Sequence, residues 1–242
     1  MKIIVVKNYE EMSNRAAEIF AETINAKPDA VLGLATGETP LGMYNNLAKK
    51  YEYGEIDFSR IRTVNLDEYY PIDPENNQSY RYFMNRNFFS KLNINLKNTF
   101  VPDGSTKKPD AFCLEYESII DSFGGIDIQI LGIGRNGHIG FNEPSAEGLH
   151  ALTHVTELTP STIEANSRFF ASPDLMPKHA ITMGIKSVFK AKKIIILASG
   201  VTKADAIREM LRGKISAMCP ASVLSLHQDV TLICDKDAYS KI

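Results

Sequence analysis

The stretch IDIQILGIGRNGHIGFNEP, residues 126–144, decides how this chain is read. Its opening, Ile126 to Gly132, is a short apolar run closed by glycine, as expected of a buried strand in a parallel sheet. Gly132-Ile133-Gly134-Arg135-Asn136-Gly137 then fits G-x-G-x-x-G, and Glu157 lies twenty residues beyond, a spacing suited to a dinucleotide-binding fingerprint. The continuation argues against that reading. His138-Ile139-Gly140-Phe141-Asn142-Glu143-Pro144 has no helical periodicity and ends in proline, so no helix begins where a pyrophosphate needs one. The loop instead collects Asn136, His138 and Glu143 within eight residues. A histidine flanked by a carboxylate and an amide suits general acid/base chemistry, with Glu143 orienting the imidazole and supporting its protonated form.

Outward from this stretch, short β-rich runs alternate with helical patterns. Strands are expected at Lys2–Val6, Ala30–Ala35, Ile61–Leu66, Ala180–Gly184, Lys193–Ala198 and Val230–Cys234. Helices are expected over Glu10–Asn25, Pro40–Tyr51, Ser79–Leu92, Asp110–Phe123, around Ser161–Phe170, and between Lys203 and Arg212. For the last, Thr202 reads as the N-cap, Asp205 completes a capping box and Gly213 stops the helix. A polar loop is expected from Asp67 to about Gln78, and a long irregular stretch after Pro144. This alternation predicts an α/β fold with a parallel sheet covered on both faces. No repeat or linker interrupts it, so residues 1–242 read as one domain.

Composition narrows the function. Basic and acidic side chains number 27 and 29, for a net charge of -2, which leaves no basic excess for a nucleic acid partner. The longest apolar runs, such as Ile194 to Ala198, are too short to span a bilayer. The N-terminus reads as a strand rather than a signal peptide, and a cytoplasmic location is expected. Cys113, Cys219 and Cys234 are odd in number and widely spaced, which predicts reduced thiols rather than disulfides or a zinc site.

In an open parallel sheet, ligands bind beyond the carboxyl ends of the strands. Three unusual loops leave strands there: Thr36-Gly37-Glu38-Thr39-Pro40, Asp67-Glu68-Tyr69, and Gly132 through Pro144. The first can cradle a phosphate. Gly37 permits positive φ or close approach, Thr39 can cap the next helix, and Pro40 suits its first position. The same loop also reads as an ordinary capped turn. Asp67, just past a strand, would have a raised pKa if partly withdrawn from water, which suits moving a proton on carbon. His150 and His154 share the i, i+4 spacing of zinc ligands, but no third ligand stands out and they read as surface histidines.

Six segments carry a family resemblance. LATGETP at 34–40, VNLDEY at 64–69, LGIGRNGHIGFNEP at 131–144, ANSRFF at 165–170, AITMGI at 180–185 and SGVTKA at 199–204 resemble glucosamine-6-phosphate deaminases, in matching order over nearly the whole chain. The resemblance implies a single-domain Rossmann-like three-layer sandwich with a mostly parallel central sheet. It implies conversion of glucosamine 6-phosphate to fructose 6-phosphate and ammonia, with no metal or organic cofactor. His138, assisted by Glu143 and Asn136, would open the pyranose ring. Asp67 would carry the C2 proton to C1. The sugar phosphate would sit on Thr36, Gly37, Glu38 and Thr39, with Arg168 and Lys203 as cationic partners.

Two departures bear on this expectation. Family members commonly have Gly or Ser where this chain has Glu38, and a carboxylate there repels a phosphate unless it points away. Larger allosteric relatives are hexamers with a longer C-terminal part and basic residues after the catalytic loop. Leu149–Val155 here has His154 but no Lys or Arg, so a monomer or small homo-oligomer without amino-sugar-phosphate activation is expected. The alternatives are a 6-phosphogluconolactonase on the same fold and a sugar-phosphate sensor domain. The sensor usually carries a helix-turn-helix, for which the opening strand leaves no room.

Overall fold

The computed structural model describes residues 1–168, 170, 172–212 and 214–242. In chain order its elements are β1 (Lys2–Val6), α1 (Tyr9–Ala26), β2 (Val31–Leu34), α2 (Leu41–Glu52), β3 (Arg62–Asn65) and β4 (Asp67–Tyr70). Then come α3 (Tyr80–Asn87), β5 (Thr99–Phe100), α4 (Pro109–Ser122), β6 (Ile128–Gly132), β7 (His154–Glu157) and α5 (Pro160–Ser167). β8 (His179–Thr182), α6 (Ile185–Val188), β9 (Ile194–Ala198), α7 (Ala204–Leu211) and β10 (Val230–Asp235) complete it.

β2, β9 and β10 are buried at every position, so they can lie only inside a sheet covered on both faces. They do so in a seven-stranded sheet of order β1-β10-β9-β6-β2-β3-β5, with every pairing parallel. From β2 the chain steps outward through β3 to β5, then returns to place β6 on the other side of β2. The order reverses between β2 and β6, and at such a switch point the loops leaving the two strands diverge and open a crevice.

Helix formation follows local chemistry. Asn8 caps α1 by accepting the Glu11 N–H, Glu10 and Glu11 place negative charge in the first turn, and Met12, Ala16, Ile19, Phe20 and Ile24 form the buried face. α1 packs on α2 and β10. Each fully buried side chain of the Phe20 or Ile24 kind contributes about 1.5–3 kcal/mol.

The sequence reading anticipates neither β5 nor α6, and it needs correction in four further places. Asp67–Tyr70 is a strand, not the start of a polar loop, and His154–Glu157 is a strand inside the stretch expected to be irregular. With β8 they form a separate antiparallel sheet of order β4-β8-β7, so the strand expected at Ala180–Gly184 exists but stands outside the parallel sheet. Tyr69, Ile72, Phe141, Leu158, Met176 and Ala180 supply its own small core. Third, neither expected threonine cap forms. Pro40 is the residue before α2 and no side chain caps it, while α7 follows a 3₁₀ turn at Val201–Lys203 that takes Thr202 out of the capping position. Asp205 instead binds Lys241 Nζ at 2.6 Å, where an exposed cation competes with the backbone. Fourth, α3 ends at Asn87 and a 3₁₀ turn at Phe89–Lys91 replaces the expected last turn. Phe169 and Gly213, the expected stop of α7, lie outside the described residues. Cys113, Cys219 and Cys234 are all buried free thiols. Among the described residues no helix is long and apolar enough to cross a membrane.

Candidate active site

Four neighbouring strands, β9-β6-β2-β3, lead out at one edge of the sheet. The segments that follow them carry, in that order, Lys203, the Asn136–Glu143 loop, Thr36–Thr39 and, at the start of β4, Asp67.

Glu143 organises its loop. Asn136 Nδ2 donates to Glu143 Oε2 at 2.7 Å, and Thr162 Oγ1 on α5 donates to Oε1 at 3.0 Å. His138 Nδ1 stands 3.1 Å from the same Oε1, at ion-pair distance though without an aligned hydrogen bond. The Asn136 side-chain oxygen in turn accepts the His138 N–H at 3.2 Å. Burial raises the Glu143 pKa, but the His138 charge with the Asn136 and Thr162 hydrogen bonds outweighs it and holds the carboxyl below its usual range. An ionised Glu143 stabilises a protonated imidazole, which is what a group that takes and returns a proton requires.

Gly134, one of the glycines that imitate a dinucleotide fingerprint, and Gly140 shape this loop. A β-carbon at Gly134 would stand 2.4 Å from the His138 ring, so the ring lies flat on bare backbone. Gly140 has φ +58, and a β-carbon there would meet Thr182 Oγ1 at 2.9 Å and Asp67 Oδ2 at 3.1 Å. The loop is pinned at that place by the Phe141 N–H to Thr182 Oγ1 (3.2 Å) and by Asn142 Nδ2 to the Met183 carbonyl (2.8 Å). Since Asp67 is paired with Thr182 across the small sheet, the histidine loop and Asp67 are locked together.

Asp67 is buried, and burial together with the adjacent Glu68 charge pushes its pKa up to about 8. The reason is physical: a carboxylate loses hydration when enclosed, and a like charge beside it compounds the cost. That is the shift expected of a carboxylate withdrawn from water.

The loop after β2 is held from outside. Tyr9 Oη donates to the Glu38 carbonyl at 2.9 Å and accepts the Gly42 N–H at 2.9 Å. Gly37 takes φ +97. Among the described residues the N–H groups of Thr36, Gly37, Glu38 and Thr39 have no acceptor in the protein. Thr36 and Thr39 are half-buried, and Glu38 is exposed. Beyond β6, Lys203 Nζ donates to the Ile133 carbonyl at 2.7 Å, and burial with the nearby Arg135 charge lowers its pKa. Asp235, at the end of β10, accepts the Ser199 hydroxyl at 2.5 Å and the Gly200 N–H at 3.0 Å, bracing the turn that presents Lys203. Arg168 directly follows α5 and is exposed.

His150 and His154 are stacked at 4.0 Å on the run into β7. His154 is half-buried rather than a plain surface residue, and burial lowers its pKa. Among the described residues no group of three His, Cys, Asp or Glu is placed to hold a metal. Two clefts flank the histidine loop. One of about 320 Å³ is lined by Glu143, Glu147, His150 and His154, and one of about 400 Å³ by Arg135, Asn136 and α7. Glu143 lines the first and Asn136 the second, while Asp67, Thr36 and Lys203 line neither.

Sequence reasoning passed over Glu68, Thr162 and Asp235. Glu68 and Asp235 had no visible role until β4 and β10 were placed. Thr162 comes to Glu143 through the fold of α5, which no local pattern encodes.

The open parallel sheet, with a buried carboxyl and a histidine at ion-pair distance from a carboxylate beyond its switch point, defines an α/β protein of the kind that binds ligands at this edge. Comparison with known proteins narrows the class. Residues 7–233 match the family described as glucosamine-6-phosphate isomerases/6-phosphogluconolactonase. A glucosamine-6-phosphate deaminase of Thermoanaerobacter sp. (strain X514) is 54% identical over 242 residues, covering 100% of this chain and 95% of that protein. A solved monomeric glucosamine-6-phosphate deaminase superposes with TM-score 0.96 at 47% identity, covering 100% of both chains. A 6-phosphogluconolactonase from Thermotoga maritima shares the fold alone, with TM-score 0.75 at 21% identity over 97% of this chain and 99% of that one. The chain belongs to the glucosamine-6-phosphate isomerase/6-phosphogluconolactonase family.

Proposed function

We propose that the protein deaminates and isomerises glucosamine 6-phosphate, giving fructose 6-phosphate and ammonia with consumption of one water. The carrying observation is the junction at Gly140, where buried Asp67 meets the loop that bears His138, Asn136 and Glu143. Lactone hydrolysis needs no carbon base, whereas this reaction turns on one. Full-length identity of 54% to a named deaminase supports the same choice.

In this reading His138 takes the proton of the anomeric hydroxyl and returns one to the ring oxygen, opening the pyranose. Glu143 stabilises the imidazolium between the two transfers, and Asn136 keeps Glu143 in place. Ionised Asp67 removes the C2 proton, leaving an enolamine, and delivers that proton to C1. Water adds at C2 of the resulting imine and ammonia leaves. A carboxyl with a raised pKa is a stronger base than an ordinary aspartate, which favours abstraction from carbon.

The phosphate is assigned to the unbonded N–H groups of Thr36 to Thr39, with Lys203 and Arg168 as cations. Exposure of the Glu38 side chain supports use of its N–H alone, which removes the conflict of charge. A monomer or small homo-oligomer in the cytoplasm, with no nucleic acid partner, completes the proposal. Ammonia release from glucosamine 6-phosphate, set against hydrolysis of 6-phosphogluconolactone, tests it. Lactone hydrolysis without ammonia would replace it by the lactonase reading.

A further inference from the structure

Glu68 is a buried carboxyl that the reaction above does not use. It is 1% exposed and lies next to Asp67 on β4. Successive residues of a strand face opposite sides, and the two carboxyls diverge accordingly. Asp67 Oδ2 faces Gly140, while the Glu68 stem lies against the backbone of Gly104. Glu68 Oε1 accepts the N–H of Tyr69 at 2.9 Å and of Tyr80 at 2.8 Å, and Oε2 accepts the N–H of Arg81 at 2.9 Å. Tyr80 and Arg81 open α3, whose cap Ser79 satisfies only Tyr82. The carboxylate therefore supplies the acceptors that the first turn of a helix lacks, at the end where negative charge is favoured.

We infer that Glu68 is a positioning residue for Asp67: it fixes β4 to the first turn of α3 and holds a second carboxyl beside the carbon base. The inference rests on Asp67 as the carbon base. A neutral residue at 68 would satisfy the helix less well and would leave Asp67 raised by burial alone. Burial raises both carboxyls above their usual range; for Glu68 three backbone N–H groups and Arg81 oppose the rise, and among the described residues Asp67 has no such partners. The other groups facing this pair are Arg81 and Tyr80 from α3, Tyr69 from β4 and Tyr116 from α4. Burial raises all three tyrosines, so they stay neutral through the range in which the carboxyls titrate. The loop of Gly140 brings His138, and β8 brings neutral Thr182; both are the same in the wild type and in the variants below.

The test is the pH dependence of kcat/KM for ammonia release in wild type, Glu68→Gln and Glu68→Asp, with thermal unfolding to establish that each is folded. Glu68→Gln removes the charge at nearly constant shape. Its acid limb is expected to move to lower pH by about one unit, the shift one nearby charge produces. Glu68→Asp keeps a carboxyl but falls short of Tyr80 and Arg81, so the tie to α3 is lost and kcat drops. A folded Glu68→Gln whose limb coincides with that of the wild type overturns the inference. Should Glu68→Gln not fold, an undiminished kcat in Glu68→Asp overturns it equally. Failure of the parent reading looks different: Asp67→Asn would then release ammonia at the wild-type rate.

Discussion

Gly140 lies against Asp67 so closely that a β-carbon at 140 would stand 3.1 Å from Asp67 Oδ2, with Thr182 Oγ1 at 2.9 Å on its other side. The contact joins two elements that arrive from different parts of the chain, the loop after β6 and the strand after β3. It also sets a demand that only glycine meets, because φ at 140 is +58. Gly140→Ala is expected to cost about 1–2 kcal/mol of stability for the left-handed backbone. Displacing Asp67 is expected to lower kcat by about 100-fold, since misplacing a reactive group by about 1 Å has that effect. Thermal unfolding and steady-state kinetics on the one variant separate the two effects.

The raised Asp67 pKa has consequences of known sign. As a base Asp67 acts ionised, so kcat/KM should climb with pH and level off above about 8. For stability the direction is opposite. Between the ordinary carboxyl value, near 4, and about 8 the folded protein holds a proton that the unfolded chain has lost. Stability contributed by this group therefore falls as pH rises through that window. Asp67→Asn removes the penalty, so the variant should melt higher than the wild type at pH 8 and show little difference at pH 4. Calorimetry at the two pH values checks this.

Glu143 is the opposite case. Its folded carboxyl is held below the unfolded value, so its contribution is present above about pH 4 and is lost as pH falls through the depressed value. Glu143→Gln removes the partner of His138 at constant shape. Ring opening is expected to slow by about 100-fold, within the range general acid–base catalysis supplies. Comparing turnover of the cyclic substrate with that of a substrate analogue unable to close its ring isolates that step: the analogue should lose far less.

Lys203 is expected to act in binding rather than in proton transfer. Lys203→Ala should raise KM by about 10-fold or more, the value of one charged hydrogen bond, with a smaller effect on kcat. Inorganic phosphate as a competitive inhibitor gives an independent reading, because its inhibition should weaken in parallel.

The strand β7 depends on a buried anchor remote from the reaction. Glu117 Oε1 on α4 accepts the N–H of Thr153 at 2.8 Å and its hydroxyl at 2.5 Å, along with the Ser187 hydroxyl, and Oε2 pairs with Lys190 at 2.8 Å. Glu117→Ala leaves these donors and a cation without their partner, and a loss of about 3 kcal/mol is expected. Hydrogen exchange should show β7 opening first.

Much of this was legible in the sequence. The central parallel strands β2, β6, β9 and β10 are largely apolar, buried runs, and the amphipathic α1 announces itself in its Met12 to Ile24 face. The cluster of Asn136, His138 and Glu143 is local, so spacing alone brought it together. The small sheet was not legible. Asp-Glu-Tyr-Tyr at 67–70 pairs with residues more than a hundred positions on, and its two carboxyls followed by two aromatics carry no hydrophobic period. Thr39 and Thr202 fit the cap preferences, yet Pro40 and the 3₁₀ turn at Val201 set the helix starts instead. Glu68 was hidden for a further reason: its partners are backbone N–H groups, which leave no mark in a side-chain pattern.

The central claim is that Asp67 moves a proton on carbon within reach of the His138 loop. Ammonia release from glucosamine 6-phosphate by the wild type and by Asp67→Asn tests it most directly. The predicted result is steady release by the wild type and a loss of at least about 100-fold in a variant that remains folded and still binds fructose 6-phosphate. Release by Asp67→Asn at a rate near that of the wild type, or none from the wild type itself, would contradict the account.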